Sequence, residues 1–140
     1  MDKDNPVVKL CIEGQKAEVQ GRSDYAFKCN LQAWKIRKND LDACIAAHFV
    51  AKQQENVKGS LKWNRLALKF ANKIQDDFVK DFYPSLYINI ANAHEQLGMN
   101  KRAKKYYDLA FATVTESSLG SYGALLLESI KNGQRRTQHD

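Results

Sequence analysis

The chain has 140 residues, of which 44% are hydrophobic and 27% are charged, as in an ordinary globular protein. It contains no apolar run close to the roughly 20 residues of a transmembrane helix, and segment 1–6 lacks the apolar core of a signal peptide. We therefore expect a single cytoplasmic domain, residues 1–140, with its own hydrophobic core and no membrane association.

Basic residues outnumber acidic ones by 22 to 16, and the net charge is +6. The densest basic cluster consists of Lys101, Arg102, Lys104 and Lys105. Proteins that bind single-stranded nucleic acids place aromatic residues, on which bases stack, among basic ones. No such pattern occurs in this sequence. We interpret the cluster as a solvated helix start. Nucleic-acid binding through a basic face is the least favoured alternative for function.

The three cysteines, Cys11, Cys29 and Cys44, are an odd number without the spacing of a disulfide framework. We expect reduced, buried thiols. Cys44 and His48 lie four residues apart on a predicted helix and could present two metal ligands on one face, but a zinc site needs two more. We expect no metal and no other cofactor.

Proline, glycine and capping residues divide the sequence into helices. In chain order, Pro6 opens the first helix, Gly21 ends it, and Asn39 caps a later one. Pro84 opens another helix, and Gly98 marks a tight turn after it. The predicted helices span residues 6–20, 23–38, 41–54, 57–76, 84–97, 100–115 and 121–132.

Short helices joined by tight turns suggest an internal repeat, and one occurs at 34 residues. It relates Gly14 to His48 and Ala33 to Ala67, and a third copy follows at an offset of 43 residues. In this register Cys44 and His48 fall on packing positions, which favours a core role for both over metal binding. Two mid-helix asparagines, Asn30 and Asn64, also share a register. They either clamp neighbouring groups by hydrogen bonds or are exposed on the convex side, and we favour the clamp.

The third copy carries the most informative pattern, Tyr87-x2-Ile90-Ala91-x2-His94, then Gly98, then Ala103-x3-Tyr107-x2-Ala110. It resembles the tetratricopeptide consensus W-x2-L-G-x2-Y…A-x3-F, and the resemblance covers about residues 7–115. Stretches 46–54, 63–64 and 82–87 are also similar to small bacterial tetratricopeptide proteins of undefined function. The resemblance implies an all-α fold, a right-handed stack of three helical hairpins at about 7–38, 41–80 and 84–115. Residues 121–132 would form a capping helix.

In tetratricopeptide arrays the first helix of each hairpin lines a concave groove, so the resemblance implies a stripe of groove residues here. We expect a peptide or protein segment to bind this stripe, without catalysis. The alternatives are self-association as a homodimer and coverage of the stripe by the C-terminal helix. The stripe consists of Val8, Cys11, Gln15 and Glu18, then Asp42, Ile45, Phe49 and Lys52, then Ser85, Ile88, Asn92 and Glu95.

Overall fold

A computed structural model describes residues 2–115 and 118–138. Within these ranges the protein is all-helical, with seven α-helices, one short 3-10 helix and no strand. None of the described helices is long and apolar enough to cross a membrane. The helices are α1 (Pro6–Val19), α2 (Ser23–Lys35), α3 (Asp40–Ala51), α4 (Val57–Ala71), the 3-10 helix (Asp77–Asp81), α5 (Tyr83–Gln96), α6 (Asn100–Thr115) and α7 (Ser121–Thr137).

Asparagine side chains fix the starts of three helices. Asn5, Asn39 and Asn56 precede α1, α3 and α4, and each side-chain oxygen accepts from a backbone N–H of the first turn at 2.7–2.8 Å. Those N–H groups have no partner within the helix, so such a cap contributes about 1 kcal/mol. The local sequence therefore determines where these helices begin.

Two glycines end α1 and α5 in the same way. Gly21 has φ +78° and Gly98 has φ +75°, a left-handed conformation that favours glycine. After each glycine the next N–H donates at 2.8 Å to a carbonyl five residues earlier in the preceding helix. This is the hydrogen bond of a Schellman turn, and it reverses the chain sharply.

The chain divides into two compact units, Met1–Lys73 and Ile74–Asp140. In the first unit α1 packs on α2, α3 packs on α4, and α3 also contacts α1 and α2. Trp34 packs edge-on against two other aromatic rings of this unit. Its ring centroid lies 5.1 Å from that of Trp63 and 6.0 Å from that of Phe70. The main apolar core comprises Val7, Val8, Cys11, Ala33, Ile45 and Ala46.

In the second unit α6 packs on α5, and α7 contacts both. Ala91 and Ala103 are fully buried where α5 meets α6, beside Tyr107. Helix α7 approaches so closely that a Cβ on Gly133 would lie 2.4 Å from the Tyr107 ring. No such contact is tolerated, so only a glycine permits this docking.

The first unit has an equally close helix contact. A Cβ on Gly14 of α1 would lie 2.7 Å from the side-chain oxygen of Asn30 and 3.2 Å from the Ala26 carbonyl on α2. Gly14 and Ala91 share one position of the predicted repeat, so a small residue brings the first two helices together in both units.

The all-α prediction is confirmed over the described residues, but some boundaries are wrong. Helix α4 ends at Ala71, not 76, and the 3-10 helix that follows the next loop was not predicted. Helix α7 continues to Thr137 instead of ending near 132. The additional residues include Gly133, which packs against the Tyr107 ring. The right-handed stacking of hairpins stays a prediction.

Replacing Ala103 with Glu tests the α5–α6 contact. We expect Ala103→Glu to lower the free energy of unfolding of the second unit by roughly 3–5 kcal/mol, because the carboxylate would be buried between two helices. Ala112→Glu makes the same change at an exposed position of α6 and should cost less than about 0.5 kcal/mol. Urea unfolding followed by far-UV circular dichroism measures both. Equal losses would contradict the contact.

Candidate functional site

The apolar members of the predicted stripe other than Phe49 are buried, although the sequence led us to expect exposed groove residues. Val8, Cys11 and Ile45 are 1–6% exposed and belong to the core of the first unit. Ile88 is 6% exposed and packs in the second unit on residues of α6 and α7. The reason is that α3 packs on α1, and α7 packs on α5. That packing turns most of the stripe into a contact between helices.

Asp42, another stripe residue, has a structural role. Its carboxylate accepts from the Asn5 side-chain amide at 2.9 Å and from the Lys38 backbone N–H at 3.0 Å, and it is 3% exposed. These bonds join the start of α1 to the turn between α2 and α3. Asp42 is therefore not available to a ligand.

Four stripe residues of the first unit remain accessible, and we call them the first-unit patch: Gln15, Glu18, Phe49 and Lys52. Phe49 is half-buried, with part of its ring on the core. The Lys52 ammonium lies 4.7 Å from the ring centroid, a cation–π contact that keeps the aromatic face beside a positive charge. The patch thus combines an aromatic surface with an ammonium, a carboxylate and an amide.

A cleft of about 540 Å³ adjoins the first-unit patch. It lies where the α1–α2 turn meets the end of α3 and the loop that follows. Its lining carries three carboxylates but a single ammonium, together with an aromatic ring and several amides. The residues that matter below are Glu18, Asp24, Phe27, Lys52, Gln53 and Glu55.

A chain of hydrogen bonds supports the floor of this cleft. The Asn30 amide donates to the Gln53 side-chain oxygen at 2.6 Å, and the Gln53 amide donates to the Glu18 carboxylate at 3.0 Å. Asn30 is 2% exposed and also donates to the Phe49 carbonyl at 3.5 Å. Asn30 therefore acts as the predicted clamp, and it holds the end of α3 against α1 and α2.

The second unit has a matching network, built from Glu95, Tyr107 and Arg136. Arg136 donates to both Glu95 oxygens, at 2.7 and 3.2 Å, and to the Tyr107 hydroxyl at 3.3 Å. The Tyr107 hydroxyl lies 2.7 Å from Glu95 and 2.5 Å from the Asn92 side-chain oxygen. Its single proton serves one of these, and rotating the Asn92 amide to present its nitrogen would satisfy the other.

The ionisation of these groups follows from the contacts. Hydrogen bonds from Arg136 hold the pKa of Glu95 below its usual value, and Glu95 in turn raises that of Arg136. Burial, together with the hydrogen bond to Glu95, raises the pKa of Tyr107 to about 12. Glu95 and Asn92, two predicted groove residues, are thus engaged by their own unit.

The two networks share two equivalent positions. Seventy-seven residues separate Glu18 from Glu95, and the same interval separates Asn30 from Tyr107. In each unit the glutamate lies in the last turns of the first helix, and Asn30 or Tyr107 lies in the middle of the second. Tyr107 contacts Glu95 directly, whereas Asn30 is joined to Glu18 through Gln53. The side chain that donates to the glutamate is not equivalent in sequence, since Gln53 follows α3 and Arg136 lies on α7, 83 residues later.

His48 and the buried thiols show no sign of metal binding. No group of three or more His, Cys, Asp or Glu side chains within residues 2–115 and 118–138 could hold a metal ion. Burial raises the pKa of Cys11 to about 12 and that of Cys44 to about 11, so both thiols stay protonated. Burial and the nearby Lys52 lower the pKa of His48 to about 4. These groups are neutral parts of the packing at neutral pH.

Comparison of the chain with models of protein families, with curated proteins and with solved structures found no match.

His48 makes the first unit sensitive to acid. Its pKa is about 6.5 unfolded and about 4 folded, so below pH 6.5 the unfolded chain takes up the proton first. Stability contributed by neutral His48 is complete above pH 6.5 and falls as the pH drops toward 4. We expect a loss of about 2 kcal/mol between pH 7 and pH 5.

Urea unfolding read by tryptophan fluorescence measures this loss, because both tryptophans lie in the first unit. His48→Leu keeps an apolar side chain without a titratable group and should remove that part of the pH dependence. An unchanged dependence in the variant would show that other groups cause it.

The pair of Glu95 and Arg136 gives a second, more acidic transition. Because the pKa of Glu95 is depressed on folding, its contribution is present above the unfolded value near 4.5 and is lost below it. Arg136 is half-exposed, so we expect Arg136→Gln to cost only about 0.5–1 kcal/mol at pH 7 and almost nothing at pH 2–3.

Arg135→Gln is the matched control, since it removes a neighbouring exposed arginine that bonds only to Asn132 on its own helix. It should have little effect at either pH. Circular dichroism in urea measures both variants. Equal losses of stability in the two variants would show that the Glu95–Arg136 pair does not hold α7 in place.

Proposed function

We propose that this chain is a non-catalytic protein-interaction module of the tetratricopeptide type, and that it binds a peptide or protein segment at the first-unit patch and its cleft. The observation that carries the proposal is the place of Phe49. Its ring is partly exposed, packs on the core behind it and is flanked by Lys52, which lines a cleft of about 540 Å³. Rigid aromatic anchors beside a concave site supply much of the energy of protein interfaces.

The other groove residues predicted from sequence support a smaller site than expected. Val8, Cys11 and Ile45 form its base and hold it rigid, and they do not contact a ligand. Gln15, Glu18 and Lys52 provide polar groups around the aromatic anchor. A partner segment would therefore bind through one aromatic contact and a set of hydrogen bonds and charges, as short peptides commonly do.

Self-association is the second candidate, and one observation favours it. Tyr122 and Leu125 lie three residues apart on α7 and are 53% and 68% exposed. Residues with this spacing share one helical face, so a second copy could bury them. The basic cluster gives less support to nucleic-acid binding, since Lys104 donates to Asp108 at 2.9 Å and the surface there is a shallow depression.

A displayed library of random peptides tests the proposal. We expect enriched peptides to bind one per chain and to lose affinity by about 30-fold in Phe49→Ala, which corresponds to roughly 2 kcal/mol. Phe111→Ala removes an exposed phenylalanine from α6 and should leave the affinity unchanged.

Because Phe49 also contacts the core, Gln15→Ala provides a second test at an exposed residue of the same patch. It should weaken the same peptides without changing the melting temperature. If no peptide is enriched, or if Phe111→Ala is the variant that loses binding, the proposed site is wrong. Light scattering of the pure protein and of Leu125→Glu separately tests for a dimer through α7.

A further inference from the structure

We infer that the cleft of the first unit binds an arginine side chain of the partner segment, with the guanidinium paired to Glu18. The inference rests on the proposed function, because it names the chemistry that the same site recognises. It comes from the comparison of two equivalent networks, one that contains an arginine and one that does not.

The second unit shows what this geometry binds. There Arg136 forms a two-pronged pair with Glu95, at 2.7 and 3.2 Å, while the hydroxyl of Tyr107 accepts a third bond. A planar guanidinium matches the two oxygens of a carboxylate, and the charged hydrogen bonds are stronger than neutral ones. The molecule thus already contains one arginine seated on this helix-end carboxylate.

In the first unit the equivalent carboxylate has a neutral partner. Glu18 accepts one bond, at 3.0 Å, from the uncharged amide of Gln53, and no ion pair among the described residues involves it. The space that a cationic side chain would need is the open cleft beside it. Two glutamates at equivalent positions therefore differ in their partners, since Glu95 is paired with a positive charge and Glu18 is not.

The cleft suits that charge in size and electrostatics. Its volume of about 540 Å³ lies within the 300–1,000 Å³ typical of ligand pockets, and it can hold a long side chain with part of its backbone. Its charged residues are three carboxylates, those of Glu18, Asp24 and Glu55, and one ammonium, that of Lys52. The cleft is therefore acidic, although the chain has a net charge of +6. Phe27 contributes an aromatic face on which a guanidinium can stack.

This arrangement favours arginine over lysine. The Gln53 amide occupies one side of the Glu18 carboxylate, so a ligand must donate to the remaining lone pairs from fixed directions. A rigid, planar guanidinium satisfies these directions better than a rotating ammonium. Lysine is also more strongly hydrated and loses more on entering the cleft. We expect at least a tenfold preference for arginine.

Three short peptides test this inference: acetyl-Gly-Arg-Gly-amide, its lysine counterpart, and its citrulline counterpart, which keeps the shape without the charge. Binding is followed in the full chain by the NMR shifts of the backbone amides of residues 52–56, which line the cleft. The arginine peptide should bind with a millimolar dissociation constant, the lysine peptide at least tenfold more weakly, and the citrulline peptide not measurably. Equal binding of the arginine and citrulline peptides would overturn the inference.

Two variants sharpen the result. Glu18→Gln should weaken the arginine peptide at least tenfold, whereas Glu128→Gln, the same change on exposed α7, should have no effect. Gln53→Arg brings a guanidinium from the chain itself beside the Glu18 carboxylate, so it should occupy the cleft and abolish binding of the peptide. Undiminished binding in either Glu18→Gln or Gln53→Arg would contradict the assignment.

The two proposals fail in different ways. If selected peptides bind and depend on Phe49, but arginine confers no preference, the arginine site is wrong and the proposed function stands. If the library yields no peptide while acetyl-Gly-Arg-Gly-amide binds through Glu18, the cleft recognises a free cation and the segment-binding function is wrong.

Discussion

The close contact between the first two helices of each unit is the constraint on which the remaining packing depends. Gly14 on α1 has no side chain and Ala91 on α5 has only a methyl group, so the helices of each pair pack closely. Asn30 and Tyr107 are buried beside this contact, and both make polar bonds to other elements of their unit. Asn30 bonds Gln53, which donates to Glu18, and Tyr107 bonds Glu95 and Arg136, so polar bonds tie the segment after α3, or α7, to the helix pair.

The position of the third helix determines which surface remains available. In the first unit α3 covers the apolar part of the stripe, so Val8 and Ile45 become core. Only the end of the stripe next to the α1–α2 turn stays open. There Phe49 packs on the core, and polar groups surround it. In the second unit α7 covers Ile88 and brings Arg136 onto Glu95, so the equivalent surface is occupied by the chain itself. One packing rule thus gives one open and one closed site.

The difference between these sites is chemically small. Gln53 and Arg136 both donate to a glutamate, but the amide leaves the carboxylate charge in place and the guanidinium neutralises it. A charge without a partner beside a cleft attracts an external cation, whereas a paired one does not. The buried groups nearby, His48 and the thiols, are neutral and contribute packing. The proposed recognition therefore depends on polar groups near the helix ends.

The amino-acid sequence alone determined the helical class, the turns at Gly21 and Gly98, and the asparagine caps, because these depend on local backbone preferences and hydrogen bonds within a few residues. The predicted stripe was correct as a helical face but wrong about its exposure, since the same 3–4 spacing describes a groove and a buried contact. Only the tertiary structure decided that, because exposure depends on where a distant helix packs. The pairing of Arg136 with Glu95, 41 residues apart, likewise has no local signal.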